Sequence, residues 1–278
     1  MNKNLNTAAT ITLLTFSAGV LIAGDTTTTF DSGLEGWSIS GRTDIDEAGG
    51  NPGENLHGIL IDVFGADIRN RTNSSFLGDY NRFGGSVELS IDIKVNSIDF
   101  FGTPVPRELV VDLRDFDNNN GFPWTSVWYS LGVLDSRVNN EWVTYSIIID
   151  DTTAQELPAG WRGSGAEDPN TFEPILPAGR TFASVLETID EITFTTFVPG
   201  FFFGFTNFDI QVDNVTIRSI GAPCPADLDN DGNLNFFDVS AFLNAFAAQD
   251  SIADFTGDGQ FNFFDVSAFL NAFSAGCP

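Results

Sequence analysis

Two stretches of the chain place oxygen-bearing side chains at alternate positions. In the first, Asp227, Asp229, Asp231, Asn233, Asn235 and Asp238 stand at positions 1, 3, 5, 7, 9 and 12 of a loop, with Gly232 at position 6. In the second, Asp254, Thr256, Asp258, Gln260, Asn262 and Asp265 hold the same positions, with Gly259 at position 6. Side chains at alternate positions of a tight loop point inward together. Glycine at position 6 permits the sharp turn, and position 7 contributes its backbone carbonyl, so Asn233 and Gln260 need no particular side chain. This is the donor set of a hard cation that takes six to eight oxygens, and it predicts two Ca2+ sites, one per loop. The competing reading is a pair of Asx-turns in which Asp238 and Asp265 merely cap the next helix. Against it, the four carboxylates of the first loop repel one another, and no Lys or Arg follows Arg218. A bound cation is the neutralising partner. Thr256 puts a neutral hydroxyl where the first loop has Asp229, so the second site is expected to bind more weakly.

Each loop runs into the same eleven residues, FFDVSAFLNAF, at 236–246 and again 27 positions later at 263–273. Val239, Phe242, Leu243 and Phe246, and likewise Val266, Phe269, Leu270 and Phe273, recur at the spacing of one helical face. The two helices are therefore expected to bury these faces on each other with approximate two-fold symmetry. Pro223 and Pro225 leave no room for an entering helix, so the unit is loop-then-helix. Residues 224–278 resemble a dockerin, of the kind bounded by Cys-Pro at its start and Gly-Cys-Pro at its end. That resemblance implies docking to a cohesin-type or cell-envelope protein receptor, in a polysaccharide-degrading or adhesive setting. Loop positions 10 and 11, small and polar in many cellulosomal dockerins, are here Phe236, Phe237, Phe263 and Phe264. They are the candidate partner-binding residues, with one Phe of each pair expected in the core and the other exposed. Cys224 and Cys277 are the chain's two cysteines and bracket the module. A disulfide between them is expected in an exported protein.

The elements that carry this module lie upstream. Between Thr26 and Ser219 the dominant signal is period-two alternation. Val87, Leu89, Ile91, Ile93 and Val95 alternate with Ser86, Glu88, Ser90, Asp92 and Lys94, which is a strand with one buried and one wet face. Leu109, Val111 and Leu113 alternate with Glu108, Asp112 and Arg114, and Val143 to Ile149 behaves alike. Many such strands predict a mainly β fold, an antiparallel jelly-roll-like sandwich over 26–219. A linker over 220–226 and the small α-helical module follow. Val215 and Ile217 fall out of phase with Phe208, Ile210 and Val212, which predicts a bulge at Asp213 and Asn214 and the end of a strand pair there. The stretches Phe76-Leu77-Gly78-Asp79 and Phe83-Gly84-Gly85, with Phe30 to Trp37 and Asp213-Asn214-Val215, resemble the laminin B (type IV A) domain and the jelly-roll sandwiches of carbohydrate-binding modules. The resemblance implies binding or adhesion without catalysis.

Composition narrows the functions. A formal charge of -26 repels phosphate backbones and anionic headgroups, so nucleic acid and membrane surfaces are not expected partners. Residues 1–24 read as a secretory signal, cleaved near Asp25 or retained as an anchor, and place the protein outside the cell or at its surface. With His57 the single histidine, no histidine metal cluster or triad can be assembled. The alternative to a binding protein is a jelly-roll glycoside hydrolase or lyase using paired carboxylates, with Glu88, Glu108, Glu141 and Glu191 as the strand-borne acids. For a polysaccharide ligand, Trp124, Trp128, Tyr129 and Trp161 are candidate stacking platforms, the other reading being that they fill the core. The run Phe201, Phe202, Phe203 and Phe205 is either buried or an interaction patch.

Overall fold

The computed structural model describes residues 25–117, 121–138, 140–202, 204–220, 225–229 and 234–276. The expected signal, the Cys224–Cys277 pairing, and the ligands Asp231 and Asn233 lie outside the described residues.

Two antiparallel sheets face one another. One comprises β1 (Thr26–Thr28), β3 (Asp44–Gly50), β4 (Gly53–Val63), β6 (Val87–Phe100), β7 (Thr103–Pro104), β10 (Val143–Ile149) and β15 (Thr206–Ser219). Its strand order is β10-β6-β15-β4-β3, with β1 joined to β15 and β7 to β6. The second comprises β2 (Trp37–Ile39), β5 (Asp67–Asn70), β8 (Arg107–Asp115), β9 (Thr125–Leu134), β11 (Arg162–Ser164) and β14 (Glu191–Thr195), in the order β11-β9-β8-β14-β5-β2. A short ribbon of β12 (Ala166–Glu167) and β13 (Pro174–Ile175) lies beside the second sheet. The alternating apolar residues supply the core: Leu89, Ile91, Ile93 and Val95 from one sheet and Leu109, Val111, Leu113, Ile192 and Phe194 from the other are all fully buried.

The connection from β5 to β6 closes one end. Phe76, Tyr80 and Phe83 are buried there. Arg82, 4.6 Å over the Phe83 ring, donates to the carbonyls of Ser74, Ser75, Leu77 and Asp79. Phe76 and Phe83 belong to the aromatic and glycine stretches picked out in the sequence, and Gly84 at φ 78 ends the turn. The bulge falls where the phase break places it, with the β15–β6 register shifting between Asp213 and Thr216 and Asn214 at φ 46. On the other edge of β15 the pairing with β4 ends at Val212 and that with β1 begins at Val215. The strand itself runs on through the bulge.

A short helix, α1 (Phe182–Leu186), plugs the sandwich, and α2 (Phe236–Ala248) and α3 (Phe263–Ala275) form the C-terminal module. Phe242 and Phe269 meet as parallel rings, 4.1 Å between centroids and 5° between planes, with Phe255 edge-on to both. The expected helical faces need one correction: Leu243 and Leu270 are 57% and 51% exposed. The helices meet over one central ring pair, and loop residues Leu228, Leu234, Phe255 and Phe261 fill in beside it. The stripe each helix buries is therefore too narrow to include them.

Replacing one ring of that stack removes most of what the module buries. Phe242→Ala should cost about 3–5 kcal/mol, read as early loss of helical ellipticity while the sandwich's own unfolding transition, followed by tryptophan fluorescence, stays in place.

Candidate functional site

Both acidic loops deliver carboxylates to a common point. Asp227, Asp229 and Asp238 bring ligand oxygens within 4.8 Å of one another, and so do Asp254, Asp258 and Asp265. The local cause is a capping box repeated at each helix. The Asn235 side chain accepts from Phe237 N at 2.7 Å while Asp238 accepts from Asn235 N at 2.8 Å. Asn262 and Asp265 repeat the arrangement at 2.8 Å each. Each twelfth-position carboxylate thus caps a helix and faces its loop. Burial pushes Asp238 up, but the backbone N–H groups of Asn235, Asp229 and Leu228 hold it below the usual carboxylate range. The Asn262 N–H, with help from Thr256, does the same for Asp265. The loops differ at position 3. Thr256 donates its hydroxyl to Asp265 Oδ1 at 2.9 Å, where the first loop offers the carboxylate of Asp229.

The expectation for the Phe pairs was half right. Phe236, Phe237, Phe263 and Phe264 are all exposed, at 75%, 67%, 75% and 69%. They occupy the first two positions of each helix, and the capping box turns the third, Asp238 or Asp265, inward. At about 100° per residue the preceding two point away from the core.

On the sandwich, the unexpected feature is the outer face of the six-stranded sheet. Register puts Ser126, Arg114 and Glu191 in one row across β9, β8 and β14, and Trp128, Asp112 and Thr193 in the next. Alternation predicts this face to be polar, and it is, but it is not wet. Asp112, Ser126, Glu191 and Thr193 are fully buried and Arg114 nearly so, beneath loops that carry Phe122–Trp124, Phe172 and Phe197–Gly200. Arg114 Nε donates to Asp112 Oδ2 at 2.7 Å and NH1 to Glu191 Oε1 at 2.6 Å, and Arg71 closes on the other oxygen of Glu191. Burial raises the Asp112 pKa, opposed by Arg114 and by the nearby Ser126 hydroxyl. Burial would lower Arg114, but Asp112, Asp67 and Glu191 raise it overall. Thr193 Oγ1 and Trp128 Nε1 are buried without a partner in hydrogen-bonding geometry. The signal available in sequence was an acid and a base two residues apart on the polar side of a strand.

The four candidate platforms separate. Trp161 and Trp128 are 6% and 5% exposed. Trp161 packs edge-on to Phe182 and against Tyr129, 5.0 and 5.5 Å between centroids. Arg162 covers Trp128 at 5.4 Å. The burial of Trp128 and Trp161 fits the core-filling reading of these two, while Tyr129 is half-buried. Trp124 alone of the four lines the cleft under the loops. Of the four acids read as strand-borne, Glu191 belongs to the buried network and Glu88 pairs with Arg218, while Glu141 lies just before β10 and not in a strand. His57 bridges Asp46 and Asp209, at 2.8 Å on each ring nitrogen. Phe201, Phe202 and Phe205 are exposed, with Phe64 stacked on Phe205 at 4.4 Å. Phe203 lies outside the described residues, and for the other three the buried reading does not hold. Among the described residues no helix is long and apolar enough to cross a membrane.

Neither a protein-family model nor a curated protein sequence matches the chain. Three solved structures with a similar arrangement of strands come from the polysaccharide-degrading machinery of Clostridium thermocellum. The first, the CBM22-1–GH10 modules of endo-1,4-β-D-xylanase 10B complexed with xylohexaose, is 15% identical, TM-score 0.40, over 70% of this chain and 28% of that one. The C-terminal family 22 carbohydrate-binding module of the same enzyme is 11% identical, TM-score 0.38, over 72% and 97%. A family 30 module of a cellulosomal cellulase is 14% identical, TM-score 0.34, over 72% and 97%. The chain spans little more than a quarter of the first of these. Likeness this distant says nothing about ligand, which rests on the residues themselves.

The buried ion network makes its own prediction. Removing one partner of a buried pair strands the other's charge, so Glu191→Ala should destabilise the sandwich by about 3–5 kcal/mol in chemical denaturation. A loss below about 1 kcal/mol would mean that Arg114 is already solvated.

Proposed function

We propose that the chain is a non-catalytic, two-part binding protein of the cell exterior. Its C-terminal module binds two Ca2+ and docks to a cohesin-type or envelope protein receptor, and its sandwich binds glycan. The observation that carries the module's part is the duplicated convergence of three carboxylates at the start of two ring-stacked helices that share their first eleven residues, in a segment with no Lys or Arg. Oxygen donors crowded in this way fit a hard divalent cation. Asp227, Asp229 and Asp238, with Asn235, would hold it in the first loop, and Asp254, Asp258 and Asp265, with Asn262, in the second. Asp231, Asn233, Thr256 and Gln260 complete the sets by sequence position. The bound ion neutralises the loops, so part of the binding free energy becomes folding free energy of the module.

The four exposed phenylalanines would be the receptor contact. Two-fold repetition sets an equivalent aromatic pair at the head of each helix, and large apolar side chains exposed in this way mark interaction surfaces. A binding rather than hydrolytic sandwich is favoured by the engagement of its acids: Glu191 is tied to two arginines and His57 to two aspartates.

Calorimetric titration of the full chain with Ca2+ tests this reading. Two unequal sites are expected, the tighter lost in Asp227→Ala and the weaker in Asp254→Ala, with the larger drop in helicity from the former. Two identical sites, no binding, or helicity that is the same in excess chelator would overturn it.

A further inference from the structure

The loops over the six-stranded sheet enclose a cavity of about 490 Å3, within the size range of ligand sites. Phe122, Trp124, Phe172 and Phe197 supply its aromatic walls, and its charged lining is Asp67, Asp112, Arg114 and Glu167. Part of that charge is already balanced, since Arg114 and Arg71 neutralise Asp112 and Glu191 in the buried network. Asp67 is half-buried and Glu167 exposed, and neither forms a salt bridge among the described residues. The side chain of Asp67 accepts from a neutral group, the Thr195 hydroxyl, at 2.5 Å. These two carboxylates leave the cavity with uncompensated negative charge.

A cation is the complement, and the walls decide its kind. A metal ion needs convergent oxygens, and among the described residues three acidic ligand atoms come together in the two C-terminal loops and not here. Aromatic walls suit an organic cation instead, which turns its charge toward ring faces and carboxylates and its stem toward apolar surface. The protein already uses this contact once, with the Arg114 guanidinium 4.1 Å over the Trp124 ring. An alkylammonium fits better than an amino sugar. Sugar hydroxyls would lose water against phenylalanine and proline without gaining partners, whereas burying a run of methylenes is favourable.

We propose that this cavity is a docking site for a lysine side chain of a partner protein, with its methylenes against Phe172 and Trp124 and its ammonium held by Asp67 and Glu167. The formal charge of -26 on the whole chain draws basic segments toward it over a longer range. The sandwich thereby has a protein contact of its own, separate from the phenylalanine pairs of the C-terminal module and independent of whether the sandwich binds glycan.

The test is titration calorimetry of the full chain, in Ca2+, with Nα-acetyl-lysine methylamide, its Nε-acetylated form and glucosamine. Saturable one-to-one binding of the lysine probe is expected, and none of the acetylated form, which keeps the stem and loses the charge. Its Kd should rise about fivefold in Glu167→Gln and in Phe172→Ser, the scale of one exposed ion pair or cation–π contact. Both residues are exposed, so neither change threatens the fold. Asp67→Asn should weaken binding as much, with a melting curve to check that it is folded. Glu156→Gln, an exposed acid outside this cavity, should leave Kd unchanged. Equal binding of the acetylated form would mean that the carboxylates take no part. An equal loss in Glu156→Gln would mean diffuse attraction, and tighter binding of glucosamine would mean an amino-sugar ligand. Each of these overturns the proposal, as does the absence of binding, and none of them bears on Ca2+ binding by the module or on binding of neutral glycans, which are measured separately.

Discussion

A sheet buried on both faces must satisfy its polar side without water, and here that falls on Arg114. Its guanidinium joins Asp112 on its own strand to Glu191 on the next, while Arg71 reaches Glu191 from the loop after β5. Buried charges of this kind cost several kcal/mol each to desolvate and are tolerated only when paired and hydrogen-bonded. The pairing lets the loops at 121–124, 166–174 and 197–200 lie over the sheet, and those loops turn a flat face into a cleft. The same guanidinium orients Trp124. Fold closure and the shape of the candidate site therefore depend on one side chain.

The C-terminal module meets the opposite electrostatic problem. It contains carboxylates without any basic side chain, and its small core is little more than Phe242, Phe269 and the residues around them. Two identical rings stacked across the pseudo-symmetry supply its centre, but they cannot offset repulsion within the loops. Backbone N–H groups do part of that work, through the capping boxes that hold Asp238 and Asp265 below the usual carboxylate range. Capping and cation binding are thus compatible roles of the same carboxylates, since a cap uses the backbone side of the group and leaves it facing its loop.

Alternation along Val87–Val95 and Leu109–Leu113, the phase break at Asp213–Asn214, and the repeated FFDVSAFLNAF were legible in the sequence because each is a local periodicity that backbone geometry converts into a face or a kink. The loop carboxylates were legible for the same reason: twelve consecutive residues contain the whole constellation. Leu243 and Leu270 were misjudged because helical spacing gives the direction of a side chain and not the width of its partner. The phenylalanine pairs were misjudged because an N-terminal cap, rather than hydropathy, sets which way the first turn points.

The sequence by itself determined the alternating strands of the sandwich, the module behind them and the paired acidic loops, all of which are patterns local to a stretch of chain. Tertiary structure alone decided that the polar face of β8 is roofed and that Trp124, not Trp128 or Trp161, lines the cleft. It also decided that Glu191 belongs to an ion network with Arg71 and Arg114. Arg114 and Glu191 are 77 residues apart, and no periodicity reports which loop will fold over which strand. That outcome depends on how distant charges find partners once the sheets have closed.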